Sequence, residues 1–571
     1  MKKYILPLIL LICFWFTTKP LPILALEFPN NKFGIHLAQP EDQDLEAAAK
    51  LVNSSGGDWG YITLVIQEND RDKNKWQEIF NKLRRLHLVP IIRLATKPEG
   101  RTWRRPSQSD ASSWVDFLDS LNWVVKDRYV VLFNEPNHGL EWGGAVDAEN
   151  YAEVAKEFAE KLKAKNQDFF IMLAGFDAAA PHRPPNFEDE EIFLKTVFNK
   201  DSLLLILIDG WSSHSYPNPG FVGSPYDLGR NSIRNYQWEL WLLKELGVTK
   251  DLPVFITETG WPHNQYQKSN FYSPESIAEY IKIVFENVWL VDERIRAVTP
   301  FVLNYQGEPF ADFSWALPGR EDFYPQYYSN QKIQKIKGEP EQKHKVTISA
   351  ELPQELVEAS TYNFKIKVKN EGQAIYDKSY QLTAISYQDK GKLEYFFSDF
   401  ISVEPDEEKT VDFHLKTGNK LGKYQLKTGL YKTDKLLLNL FSWDFKVSPW
   451  PSLRFRVDLL PKLKTEGKDF EIQIFDKNEK LVYRKTNVKV INGEGVLKRI
   501  NNIALNESYR VVVLKPYYLP RQNHLTFKKD KNEIVFKKML PLDFNRDGKF
   551  SPFDILSLIK NLKLLRLWWF S

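Results

Sequence analysis

Two glutamates in this chain each close a short apolar run. Val131-Leu132-Phe133-Asn134-Glu135-Pro136-Asn137 carries the first, and Val254-Phe255-Ile256-Thr257-Glu258-Thr259-Gly260-Trp261-Pro262 the second. An acid at the end of a buried strand sits at the rim of its sheet, where side chains from distant parts of a chain meet. Two carboxyl groups with separated proton affinities suit cleavage of a glycosidic bond. One, kept protonated, donates to the leaving oxygen, and the other attacks the anomeric carbon as an ionised nucleophile. A second pattern points to a hard cation. In Asp543-Phe544-Asn545-Arg546-Asp547-Gly548-Lys549-Phe550-Ser551-Pro552-Phe553-Asp554, oxygen ligands fall at positions 1, 3 and 5, the Lys549 carbonyl at 7 and a carboxylate at 12. Gly548 at position 6 permits the turn that gathers six or more oxygens around calcium. An Asx-rich turn without metal is the alternative.

The glutamates need elements to position them. Strand-like runs occur at Phe33–Leu37, Tyr61–Ile66, Val89–Ala95, Tyr129–Asn134, Phe169–Gly175, Leu204–Ile208 extending to Tyr216, Val254–Thr257 and Ala297–Leu303. Helical patterns lie between them, among them Asp44–Val52, Trp76–Leu86, Ala148–Lys163, Ile233–Leu246 and Ser276–Val291. Several runs are apolar throughout, as parallel strands covered on both faces must be. Eight strand-then-helix units over residues 30–336 predict a closed (β/α)8 TIM barrel. A doubly wound open sheet is disfavoured, because no Gly-rich phosphate loop follows an early strand. In the barrel, strands 4 and 7 lie across the C-terminal mouth from each other, so Glu135 and Glu258 face one cleft.

Beyond Pro340 the pattern changes to short alternating strands with Gly, Asp and Asn punctuation, such as Tyr362–Val368 and Tyr424–Tyr431. Residues 345–448 and 452–540 predict two all-β immunoglobulin-like sandwiches, joined at Pro449-Trp450-Pro451, with the cation loop and a helix in 541–571. At the other end, Met1-Lys2-Lys3 and the apolar run Tyr4–Phe16 predict a secretory signal over 1–25. An uncleaved segment, the one membrane attachment foreseen, is the alternative. Such a leader places the protein outside the cell or on its surface. The single cysteine, Cys13, lies in that leader, so no disulfide framework supports the rest. Lys and Arg total 78 against 74 Asp and Glu, a balance that argues against nucleic acid as a partner. With 17 Trp, 25 Tyr and 38 Phe the chain has ample flat rings for a sugar-binding groove.

Asn134-Glu135-Pro136 on strand 4 with Glu258 on strand 7 resembles the clan A, or 4/7, superfamily of retaining glycoside hydrolases, over about residues 30–336. The resemblance implies Glu135 as acid/base, Glu258 as nucleophile and Asn134 as partner of the sugar 2-hydroxyl. Trp211-Ser212-Ser213-His214-Ser215-Tyr216-Pro217 matches the clan's His-x-Tyr, which implies that Tyr216 hydrogen-bonds the nucleophile and His214 lines the acid/base side. The clan's arginine from an early strand is missing from strand 2, and Arg93 on strand 3 is the nearest replacement, with a structural salt bridge as its other reading. The clan's strand-8 tryptophan is also missing, so Tyr305 or Trp315 is the substitute. Trp142 and Trp261 are candidate sugar platforms or core residues. Asp177 and Asp209 read as supporting or structural acids.

The last segment resembles a single dockerin-like EF-hand repeat, with Asp543, Asn545, Asp547, Lys549 and Asp554 as implied ligands of structural calcium. Dockerins carry two repeats, so a calcium clip is favoured over a cohesin-like partner. Catalysis requires no cofactor on this reading. The expectation is a secreted or surface-attached, bacterial glycosidase acting on β-linked oligo- or polysaccharides. A non-catalytic polysaccharide-binding or adhesive protein and a transglycosylase are its rivals.

Overall fold

The computed structural model of the protein describes residues 29–264, 270–319, 322–386, 393–398, 402–462 and 464–565. The expected signal over 1–25 and the end of the C-terminal segment, 566–571, lie outside them. Two compact units divide the chain, the first ending at Glu341 and the second starting at Gln342.

In the first unit, parallel strands β1 (Gly34–Leu37), β2 (Gly60–Gln67), β3 (Leu88–Ala95), β4 (Arg128–Leu132) and β5 (Phe169–Leu173) pair in sequence order. Strands β6 (Trp211–His214), β7 (Val254–Glu258) and β8 (Ile295–Val298) form a second parallel set. Both seams between the sets are hydrogen-bonded. Phe33 bridges Val298 in parallel, and the His36 amide donates to Pro300 O at 3.0 Å. Across the other seam the Asp209 amide donates to Ile171 O at 2.8 Å, and the Asp209 carboxylate accepts from the Ile171 amide at 2.8 Å. The strands therefore close into an eight-membered ring.

A helix follows each strand: α1 (Asp42–Val52), α2 (Lys73–Arg85), α3 (Ala111–Asp119), α4 (Ala148–Lys165), α5 (Glu190–Lys200), α6 (Asn235–Glu245), α7 (Pro274–Val284) and α8 (Pro325–Lys332). Several starts are written locally. Asp72, Asp147, Asp189 and Ser273 accept backbone N–H groups of the first turn, and Pro274 occupies the position where a missing N–H costs nothing. Leu204–Leu207, expected as the start of strand 6, is instead one helical turn. The Asp201 carboxylate accepts the Leu203 amide at 3.1 Å, and Ile206 is exposed, so this apolar run meets the core on one side only. The strand begins at Trp211.

Inside the barrel, Tyr61 (β2), Tyr129 (β4), Phe170 (β5) and Phe255 (β7) form one ring cluster, with centroids 5.0–6.4 Å apart. Each such pair contributes about 0.5–1.5 kcal/mol beyond the area it buries. Gly210 makes room for the cluster: a Cβ there would stand 2.6 Å from the Phe170 ring. These rings stop the barrel at the end remote from the strand C-termini.

In the second unit, β9 (Val346–Ser349), β11 (Thr361–Asn370), β14 (Glu408–Lys416) and β13 (Glu394–Phe397) make one four-stranded sheet. Strands β10 (Glu355–Val357), β16 (Lys435–Ser448), β15 (Gly422–Lys432) and β12 (Tyr380–Ser386) make another. Tyr362, Ile366, Phe413, Leu426, Trp443 and Phe445 from both sheets share one core, giving a sandwich.

The next stretch differs from expectation. Its strands β17 (Leu453–Arg456), β18 (Gly467–Phe475), β19 (Leu481–Ile491), β20 (Glu494–Leu497), β21 (Ser508–Lys515), β22 (Tyr518–Thr526) and β23 (Asn532–Val535) form a single sheet in the order β22-β21-β18-β19-β20-β17-β23. Its edges approach each other, for the Asn523 side-chain amide on β22 reaches Val535 O on β23 at 3.1 Å. Alternation in a sequence tells which face is buried, not whether a second sheet or the same sheet curling round covers it. Helix α9 (Pro552–Lys560) and a 3-10 turn, Leu562–Leu565, end the described chain. No helix among the described residues is long and apolar enough to cross a membrane.

Behind β6, Glu190 on α5 and Glu239 on α6 are both fully buried and face each other. Burial first, and for Glu190 the neighbouring Glu239 next, pushes these carboxyls up from the ordinary value of 4.5, so the folded state retains a proton that the unfolded chain loses. Their contribution to stability is complete below pH 4.5 and is lost as pH rises through the raised values. Glu190→Gln, which cannot ionise, is expected to flatten the fall in melting temperature between about pH 5 and 8. Melts of both proteins across that range check this.

Candidate functional site

At the mouth, β4 ends in a backbone that places its acid. Phe133 and Glu135 adopt positive φ of 74° and 33°, a sparsely populated region for residues with a side chain. The Glu135 amide is anchored on Gly175 O at 3.0 Å. On the other side, an irregularity in register between Ser213 and His214 sets His214 opposite Glu258. Gly175 is required here, since a Cβ would fall 2.1 Å from the His214 ring.

The two sequence-distant acids come together. One oxygen each of Glu135 and Glu258 and a ring nitrogen of His214 all lie within 4.8 Å of one another. His214 Nδ1 is 2.8 Å from Glu135 Oε1 and 3.9 Å from Glu258 Oε2. Tyr216 donates its hydroxyl to Glu258 Oε2 at 3.0 Å. Arg93 Nη1 donates to Glu258 Oε1 and also to Asn134 Oδ1, the latter at 2.7 Å. Asn134 in turn donates its amide to Glu141 Oε2 at 3.3 Å.

The environments of the two acids are unequal. Glu258 is 8% exposed. Burial pushes its carboxyl up, but the charges of His214 and Arg93 and the Tyr216 hydroxyl together outweigh this and hold it at about 2. Burial also pushes His214 down, yet the Glu258 charge and the Glu135 hydrogen bond outweigh it and leave the imidazole raised. His36, at the end of β1, stands 3.6 Å from Glu258 Oε1. Burial holds His36 at about 3, so it is neutral. Glu135, His214 and Glu258 are also the types that ligate metals. Both Glu258 oxygens are already engaged, however, and the Arg93 guanidinium repels a cation at that position. The trio suits proton transfer and nucleophilic attack.

These groups open into a cavity of about 490 Å³, within the range of small-ligand sites. Its aromatic lining differs from the expected one. Trp142 is fully buried, donates to Asn150 Oδ1 and packs on Phe133 and Tyr151. Trp261 is 3% exposed, donates to Gly223 O and rests on Tyr280. Trp315 belongs to the barrel core, and Tyr305 packs on Phe310 without reaching the cavity surface. Trp142 and Trp261 thus take the core role that the sequence reading held beside the platform one, and Tyr305 and Trp315, expected in place of the strand-8 tryptophan, are corrected to packing roles. Their places are taken by Trp103, from a small hairpin after β3, and by Phe221, Phe301, Phe310 and Phe313. Phe301, whose peptide bond to Val302 is cis, lies just past β8, where the sequence reading had extended the strand.

Three polar groups of the site escaped sequence reading. His36 sits on a strand with no motif around it. Glu141 follows Glu135 by six residues in the same loop and lines the same cavity. His138, also in that loop, pairs with Asp177 through Nε2–Oδ2 at 2.7 Å, and both line the cavity. Asp209 is structural, paired with Lys163 at 2.7 Å.

In the C-terminal loop, four of the five expected calcium ligands hold backbone groups. The Asp543 carboxylate accepts the Gly548 amide at 3.1 Å, and Asn545 Oδ1 the Asp547 amide at 3.1 Å. Asp547 Oδ1 accepts the Lys549 amide at 2.9 Å. Asp554 accepts the Asn545 amide at 3.1 Å and the Ser551 amide at 2.7 Å, which caps α9. Asp543 Oδ1 is buried with no hydrogen-bond partner. Burial, with Asp554 and Asp547 nearby, raises the Asp543 carboxyl.

No protein-family model matches this sequence, and no curated protein matches it. Solved structures do. A family 51 α-L-arabinofuranosidase from Bifidobacterium longum is 9% identical over 68% of this chain and 96% of its own, with a TM-score of 0.38. An endo-β-1,4-glucanase from Xanthomonas axonopodis pv. citri, a triple mutant, is 12% identical over 53% of this chain and 98% of its own, with a TM-score of 0.34. A modular endo-β-1,4-mannanase from Cellulomonas fimi is 11% identical over 74% of this chain and 94% of its own, with a TM-score of 0.31.

With Arg93→Met, burial is opposed by fewer charges, and the Glu258 carboxyl is expected to titrate well above about 2. Tyr216→Phe is expected to shift it in the same direction by less. Carbon-13 NMR titration of glutamate-labelled protein checks both. A Glu258 titration unmoved in the two variants would assign its control to His214 alone.

Proposed function

We propose that this protein is a secreted or cell-surface glycoside hydrolase that cleaves β-linked oligo- or polysaccharides with retention of anomeric configuration. The observation that carries the reading is the approach of Glu135 and Glu258 to within 4.8 Å in unlike electrostatic surroundings. Retaining enzymes hold their two carboxyl groups about 5–5.5 Å apart, whereas inverting ones leave about 6.5–9.5 Å for a water. In the first step Glu258 attacks the anomeric carbon, and the proton in the Glu135–His214 contact goes by way of Glu135 to the departing glycosidic oxygen. In the second step Glu135 takes a proton from water, whose oxygen displaces Glu258 from the sugar. Tyr216 and Arg93 keep Glu258 ionised for the attack and stabilise it again when it leaves.

Glu258→Gln is expected to reduce hydrolysis of β-glycosides to background. Glu135→Gln is expected to slow substrates with poor leaving groups by about 10²–10⁴-fold and to spare bond cleavage where the leaving group needs no proton. Added azide separates the roles: Glu258→Ala should yield the α-glycosyl azide and Glu135→Ala the β-anomer. Wild type inactive on a broad polysaccharide and aryl-glycoside panel would favour a binding scaffold, and products dominated by longer glycans a transglycosylase.

We further propose that the Asp543–Asp554 loop binds structural calcium. The support is the buried Asp543 oxygen without a partner amid carboxylates that a cation would reconcile. Calcium at 100-fold its Kd is expected to stabilise this unit by about 2.7 kcal/mol, and Asp543→Ala to abolish the effect. Identical melts in calcium and in EGTA would overturn the assignment.

A further inference from the structure

The proposed reaction uses two carboxyl groups, yet a third lies in the same cavity. Glu141, in the short turn Gly139–Glu141 after β4, lines the wall beside Glu135 and Glu258. Its recorded hydrogen bond is from Asn134, which is fixed on its other side by Arg93. A continuous chain Glu258–Arg93–Asn134–Glu141 thus runs along one side of the space where a sugar ring would sit. We propose that Glu141 is a further substrate-binding residue, which with Asn134 holds the hydroxyl next to the reacting carbon of the sugar seated between Glu135 and Glu258. The proposal rests on the glycosidase reading above and adds a specificity determinant to it.

A structural acid would be expected to face a cation or several backbone donors. Glu141 has the Glu135 and Glu258 carboxyls near it, and of the cationic groups around it Arg93 is hydrogen-bonded to Asn134 and Glu258 and His138 to Asp177. Burial, then the Glu135 charge, pushes Glu141 up to about 7. Around pH 7 a large share of Glu141 therefore carries a proton and offers both a donor and an acceptor, which is what a hydroxyl requires. Asn134 already spends its amide on Glu141. A sugar hydroxyl entering between the two can accept from one and donate to the other, replacing a 3.3 Å contact by two better ones.

The test compares matched aryl β-glycosides with and without the 2-hydroxyl, using the whole protein. Removing a hydrogen bond of this kind is expected to cost about tenfold in kcat/KM. Glu141→Ala should lose about that factor on the hydroxylated substrate and less than about twofold on the 2-deoxy one. Glu141→Gln, which keeps a donor and an acceptor in the same volume, should stay within about threefold of wild type on both. Equal losses on the two substrates in Glu141→Ala, with Glu141→Gln no better, would make the residue merely structural and overturn the proposal while leaving the Glu135 and Glu258 roles intact. Wild type inactive on both glycosides would overturn the proposed function itself, and this role with it.

Discussion

An ionised carboxylate in the interior of a protein is costly unless its charge is answered at hydrogen-bonding distance. Glu258 poses that problem at the top of the barrel, and much of the neighbouring architecture is its solution. Arg93 comes from β3, Tyr216 from just after β6 and His214 from the end of β6. Strands β3 and β6, with β7 that carries Glu258 itself, must therefore bring these groups to one level of the ring for the site to exist. The register irregularity in β6 and the missing side chain at Gly175 are local departures that allow it. Nothing comparable surrounds Glu135, which has one imidazole and a backbone turned into an uncommon conformation. The asymmetry between the acids is thus a matter of how many strands serve each.

The arginine stands one strand away from where the resemblance first looks for it. The clan resemblance looks for a guanidinium from an early strand, commonly the second, and here β2 offers Val65 at the cavity wall. Arg93 on the adjacent strand reaches the same carboxylate because β2 and β3 run in parallel register, Val65 opposite Arg93. The charge of Glu258 is met from one strand further round. Because the same Nη1 also holds Asn134, the residue that fixes the charge of one acid fixes the side chain next to the other.

How much could be read beforehand follows from what each signal measures. The barrel was legible because apolar runs of strand length alternate with amphipathic stretches, and both acids because each ends such a run. The four apolar residues Leu204–Leu207 were misread for the same reason: a short apolar run carries no period, and the Asx turn of Asp201 on the Leu203 amide leads into a turn of helix. Trp142 and Trp261 follow Glu135 and Glu258 closely, which left platform and core roles both open. A ring just past a strand end can swing outward or back beneath the loop, and here Asn150 and the Gly223 carbonyl draw the two indoles inward. Glu141 and the His138–Asp177 pair stand in loops, whose paths depend on contacts far away in sequence. The seven-stranded sheet was hidden for another reason, since period-two patterning is the same for a sandwich and for a sheet that covers itself.

The four-ring cluster of Tyr61, Tyr129, Phe170 and Phe255 has a consequence for traffic. None of its four rings is among the groups that line the cavity of Glu135 and Glu258, so the cluster closes the barrel away from that chamber. On the proposed glycosidase reading, the traffic of water and sugar fragments then belongs to the mouth that carries the acids.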